Sequence, residues 1–184
     1  MTTAISPGDQ DYLERRSPVY RGVVWAERAV AMSLLVGLLA LIFTQIFTRY
    51  VLNAPLSWTE ELARFVFIWF TFTSAALVMA RRRHITVILF GARGSGRIIS
   101  IVEAFAYLVV IVVSIAMVVG GVQMVSGASR LVSPGTNIPL GVVYASIVAG
   151  YGLIAVHSAF NMYLALRYPA QFRDPEDELS KAGA

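Results

Sequence analysis

Four long apolar stretches, at about residues 25–48, 62–80, 98–126 and 140–166, alternate with short polar segments. Each is long enough to cross a hydrocarbon core of about 30 Å at about 1.5 Å per helical residue, so each predicts a membrane-spanning helix. Along the first, Ala29, Ser33 and Gly37 recur at every fourth position; along the fourth, Gly141, Ala145 and Ala149 do the same, with Ser146 and Gly150 alongside. Ridges of this kind let a second helix approach closely, whether that helix belongs to the same chain or to a partner. In the second span Phe65, Phe67, Trp69, Phe70 and Phe72 fall all round the helix and do not separate a lipid face from a protein face.

The polar segments divide the chain into a leader (residues 1–21), a four-helix membrane domain (22–167) and a charged tail (168–184) expected to be disordered. The leader does not have the form of a secretory signal, since the apolar run after it starts late and is too long for an h-region. Between the second and third spans, residues 81–97 carry five arginines and no acid. Pro134, Gly135, Asn137 and Pro139 mark a turn before the fourth span. With four spans, the leader, the middle loop and the tail lie on one side, together with Arg15, Arg16, Arg21, Arg81 to Arg83, Arg93, Arg97, Arg167, Arg173 and Lys181. The two loops of the other side carry only Arg49 and Arg130, so the positive-inside rule predicts that both termini are cytoplasmic.

Composition agrees with this pattern. Hydrophobic residues form 57% of the 184 and charged residues 14%, with a mean hydropathy of +0.68, beyond the range of a soluble domain. The expected class is an all-α integral membrane protein with short loops and no separate soluble catalytic domain. With no cysteine, disulfides, thiolate metal sites and cysteine nucleophiles are excluded. The net charge of +4 comes from arginines beside apolar spans, which is a topology signal rather than a nucleic-acid surface.

One connection concentrates the charge. Arg49 to Arg64 holds two adjacent carboxylates, two guanidiniums, Pro55 and Trp58 between two apolar spans, and it is predicted to face outward. Pro55 ends any helix continuing from the first span, and Ser57 or Thr59 can cap a new one whose first turn holds Glu60 and Glu61. Either carboxylate is spaced to pair with Arg64 on the helix surface. The segment thus reads as a capped helix entry with Trp58 as a belt residue, or as a docking edge for a partner. Side by side on a helix, the two carboxylates point to different faces and do not form an acid–base pair.

The other polar residues have simpler readings. His84 follows three arginines and is either solvated or fixes its loop against a partner. His157, with Asn161 one turn on, predicts a neutral interhelical hydrogen-bonding group, as do Gln45 and Gln123. Two histidines on separate elements argue against haem, and no cofactor or catalytic site is expected.

Taken in order, Arg49-Tyr50, Trp58-x-Glu60-Glu61-x-x-Arg64, Trp69 and His84-Ile85-x-Val87 resemble the small membrane subunit of tripartite ATP-independent periplasmic (TRAP) transporters, the DctQ-like proteins. The resemblance extends to the length of the chain and to the number and spacing of its spans. One departure is Ile88, where the family commonly has an aspartate. The resemblance implies a scaffold subunit in the bacterial inner membrane. Its implied partners are a large membrane subunit, which carries the sodium and substrate sites, and a periplasmic protein that delivers an organic acid. It marks Arg49, Tyr50, Trp58, Glu60, Glu61, Arg64, Trp69 and His84 as docking or structural residues. Membrane lipid is the other expected partner. The competing reading is a self-contained small transporter or membrane enzyme subunit, for which His157 is the ionisable group within a span.

Overall fold

The computed structural model describes residues 18–80 and 96–167. They form four helices: α1 (Pro18–Tyr50), α2 (Ser57–Ala80), α3 (Gly96–Ala128) and α4 (Leu140–Arg167). All four are long and apolar enough to cross a membrane, and among the described residues there is no strand, only an isolated bridge between Val132 and Pro139. The protein is a multi-pass membrane protein. Pro18 to Arg21, which the sequence assigns to the leader, form the first turn of α1.

The helices stand in a row. α1 packs on α2, α2 on α4, and α4 on α3, so the spatial order is α1–α2–α4–α3, with α1 and α3 as outer members. One end of the row carries the start of α1, the end of α2, the start of α3 and the end of α4; we call it the termini end. The other, the loop end, carries the α1–α2 and α3–α4 connections.

The row is inside-out compared with a soluble domain. Of the eight largest fully buried side chains among the described residues, seven are polar (His157, Asn161, Thr59, Ser114, Ser133, Ser146 and Ser158) and the eighth is Val24. Large apolar groups such as Phe43, Val36, Phe105 and Ile101 point outward. Lipid solvates these as well as a protein core would, whereas polar groups need partners that hydrocarbon does not provide. Among the described residues the buried side of α1 is one seam, Tyr20, Val24, Glu27, Ala31, Leu38 and Thr48, separated by steps of three or four residues or by sums of such steps.

Glycines set the closest approaches. A Cβ on Gly150 would lie 2.6 Å from Phe72 Cβ and 3.2 Å from the Phe72 carbonyl oxygen, so the backbones of α2 and α4 nearly touch there. At the α3–α4 corner, a Cβ on Gly141 would lie 3.2 Å from both Ser129 Cα and the Val125 carbonyl. Ala145 beside it is half-buried and Ala149 exposed. On α1 the ridge faces the other way. Ser33 is exposed, Ala29 and Gly37 are half-buried, and a Cβ on Gly37 would meet nothing within 4 Å, so among the described residues no helix covers the ridge at Gly37.

Candidate functional site

At the loop end, α1 stops where Asn53 takes up a left-handed backbone (φ 50°), a conformation asparagine tolerates better than most residues. Nearby amides fold back on the last turn: Val51 N–H donates to the Phe47 carbonyl (2.9 Å) and Ala54 N–H to that of Thr48 (3.1 Å). Pro55 then leads into α2, whose first residue is Ser57. Thr59 is fully buried, and its hydroxyl donates to the Leu56 carbonyl (2.7 Å).

The two adjacent carboxylates separate, as their one-residue offset on a helix requires. Glu60 pairs with Arg64 at 3.4 Å on the exposed surface. Glu61 turns to the α3–α4 connection, where Oε2 accepts the amide N–H of Gly135 and of Thr136, each at 2.9 Å. The connection is shaped for this. Asn137 adopts a positive φ of 54°, Asn137 N–H donates to the Ser133 carbonyl (2.9 Å), and Ser133 N–H donates to that of Ile138 (3.0 Å). A Cβ on Gly135 would lie 2.6 Å from Glu61 Oε2 and would push that carboxylate off the turn, so the clasp depends on glycine there. One carboxylate therefore ties the start of α2 to the α3–α4 connection.

Glu61→Ala is expected to accelerate amide hydrogen exchange at Gly135 and Thr136 selectively. Glu60→Ala should leave those amides protected; equal protection in all three proteins would show that the clasp does not hold the turn.

Arg49, Tyr50 and Trp58 are exposed around this clasp, Tyr50 at 74% and Trp58 at 42%, while Trp69 is half-buried three turns along α2. His84, Ile88 and the arginines Arg81 to Arg83 lie outside the described residues.

The termini end holds a second cluster. His157 on α4 is 1% exposed, and its Nε2 lies 3.0 Å and 3.2 Å from the two carboxylate oxygens of Glu27 on α1. Its Nδ1 lies 3.2 Å from the hydroxyl of Tyr20, one helical face along α1. That hydroxyl is also 3.5 Å from the Ala80 carbonyl, at the last residue of α2. Asn161, one turn beyond His157, donates from Nδ2 to the Met79 carbonyl (3.0 Å). The Tyr20 ring meets the His157 and Phe160 rings edge-on, with centroids 5.7 Å and 5.9 Å away.

His157 and Asn161 are thus the interhelical hydrogen-bonding groups expected from sequence. Glu27 is the residue the sequence reading missed. Its signal was an acid two residues after Trp25, inside the apolar run, where a carboxylate needs a partner. Of the two glutamines assigned to helix contacts, Gln123 is exposed and Gln45 half-buried.

A family model described as the DctQ component of tripartite ATP-independent periplasmic transporters matches residues 38–168, from the middle of α1 to the end of α4. The chain belongs to that family. It is a small permease subunit of a TRAP transporter and not an enzyme. Over 64 residues it is 36% identical to the sialic acid TRAP transporter small permease protein SiaQ of Vibrio cholerae, a match covering 35% of this chain and 37% of that protein. A TRAP transporter small permease protein of Haemophilus influenzae is 34% identical over 58 residues, covering 32% of this chain and 36% of the relative. The matched stretches span little more than a third of either relative.

Proposed function

We propose that this subunit is the fixed scaffold of a TRAP transporter in the bacterial inner membrane, with both termini in the cytoplasm. In this reading it holds a large membrane subunit that moves an organic acid with the sodium gradient, and a periplasmic binding protein delivers that acid. What carries the reading is family membership together with the single row of helices, which leaves broad apolar flanks for another membrane protein. The arginines that the sequence concentrates in the leader, in residues 81–97 and in the tail support the orientation, since positive charge is retained on the cytoplasmic side. Glu61 supports the scaffold role by fixing the start of α2 to the α3–α4 connection. The acid in the name of the Vibrio cholerae relative supports the substrate class. Arg49, Tyr50, Trp58, Glu60 and Arg64 form the outward docking edge of this reading, and Ala29, Ser33 and Gly37 its open helix ridge.

Reconstitution in liposomes tests it. The subunit alone is expected to take up no organic acid, and uptake should require the large subunit, the binding protein and a sodium gradient together. Uptake by the lone chain would replace the scaffold reading with that of a self-contained transporter.

A further inference from the structure

We propose that Glu27, His157 and Tyr20 form a proton-binding site that clasps α1, α2 and α4 together at the termini end. The argument starts from donors and acceptors. An imidazole Nε2 facing both oxygens of a carboxylate at 3.0 Å and 3.2 Å donates its hydrogen to them. In neutral His157 this leaves Nδ1 bare, and the Tyr20 hydroxyl 3.2 Å away donates to it. When a proton from the bulk binds Nδ1, a new N–H bond forms there and the tyrosine hydroxyl can no longer donate to it. It turns round instead. Nδ1–H donates to the tyrosine oxygen, and the hydroxyl hydrogen passes to the Ala80 carbonyl, which already lies within reach at 3.5 Å.

Both protonation states therefore find every polar atom a partner without moving a helix. This is unusual at a site buried to this degree, where an unmatched donor or acceptor is strongly unfavourable. The two states differ in what they join. With Nδ1 bare, Tyr20 binds α1 to α4 alone; with the proton bound, the hydrogen-bond chain runs Glu27, His157, Tyr20, Ala80 and closes on the last residue of α2. Proton binding thus fixes α2 at the point where it leaves for the segment linking it to α3.

The groups around the site fit this assignment. α1 contributes Tyr20 and Glu27, with Arg28 adjacent and half-buried. α2 contributes the carbonyls of Met79 and Ala80, and α4 contributes His157, Ser158 and Asn161. Glu103 and Tyr107 are buried at the same end, on the far side of α4 from α1.

The chain has two histidines, so His84→Asn leaves His157 as the sole imidazole. Full-length protein carrying that change and ¹⁵N-histidine, in lipid bilayers, is followed by solid-state NMR across the histidine range of about pH 5 to 8. At the alkaline end one protonated and one bare nitrogen are expected, the protonated one being Nε2; on acidification the bare signal is replaced by a second N–H. Tyr20→Phe is expected to move the bare-nitrogen signal and abolish that replacement. Glu27→Gln, which keeps an acceptor for Nε2–H without the charge, should also abolish it. A spectrum unchanged across the range, the opposite tautomer at the alkaline end, or variants that titrate like the parent would each overturn the proposal. None of these measurements depends on transport or on a partner subunit.

Discussion

Glu27→Ala is expected to lower the stability of the folded chain by about 1–3 kcal/mol, the usual penalty for leaving a buried hydrogen-bonding group without its partner. His157 would keep its place on α4, 1% exposed, but its Nε2 would lose both carboxylate oxygens that now lie within hydrogen-bond distance. The surroundings offer no relief, since lipid supplies no acceptor and the neighbouring Tyr20 hydroxyl is already engaged at Nδ1. The loss also reaches beyond the pair. Among the described residues α1 packs along α2 and reaches α4 through the side chains of Tyr20 and Glu27, so the cluster adds the link that joins the start of α1 to α4. Unfolding in detergent micelles measures the effect, with Glu60→Ala as comparator. That carboxylate sits 64% exposed in a surface pair with Arg64, and its removal should change stability by at most about 1 kcal/mol. A Glu27→Ala protein as stable as the Glu60→Ala protein would mean that the buried pair does not secure α1.

The four helices could be read from the sequence because a membrane span needs only length and apolar content, and both are written in the chain directly. Their order in space could not. Soluble helices reveal their packed side by contrast, one apolar face against one polar face. Here Met32, Val36, Leu39 and Phe43 on the outer surface of α1 are as apolar as Val24 and Leu38 in its seam. The small-residue ridges were visible as patterns, but the sequence does not say which way a ridge points. In this chain Gly150, first noted only as a neighbour of the fourth-span ridge, makes the close approach to α2, while Gly37 stands open. The conspicuous charges of Arg49 to Arg64 were legible as the entry to a new helix, which starts at Ser57, and the i, i+3 and i, i+4 spacings left either Glu61 or Glu60 as a partner for Arg64. Glu61 has another role because its partners, the Gly135 and Thr136 amides, are backbone groups 74 and 75 residues away. Every residue carries an amide, so such a partner leaves no mark on the sequence. Glu27 stayed hidden for a related reason: its partner lies 130 residues along the chain, and an acid so near Trp25 resembles the edge of a span.

Gly150→Val is expected to destabilise the central contact of the row by about 3 kcal/mol, the upper end of overpacking costs. The first carbon added would lie 2.6 Å from Phe72 Cβ and 3.2 Å from the Phe72 carbonyl oxygen, and neither is the free tip of a flexible side chain. α2 and α4 would have to move apart, and because they are the inner members of the row, the movement separates α1–α2 from α4–α3. The hydrogen bond from Asn161 Nδ2 to the Met79 carbonyl, which joins the same two helices nearer the termini end, should lengthen or break with it. Gly37→Ala supplies the contrast. Its new methyl would meet nothing within 4 Å, so in the isolated chain it should be neutral or, through helix propensity worth up to about 1 kcal/mol, slightly stabilising. The two glycines thus sort by what stands opposite them: Gly150 is required by the fold of this chain, whereas a bulky residue at Gly37 should do harm only when a second membrane protein occupies the open ridge. Thermal unfolding of the lone subunit beside its recovery with the large membrane subunit proposed above separates these cases. Gly150→Val should fail in the first measurement, and Gly37→Leu should pass it and fail only in the second.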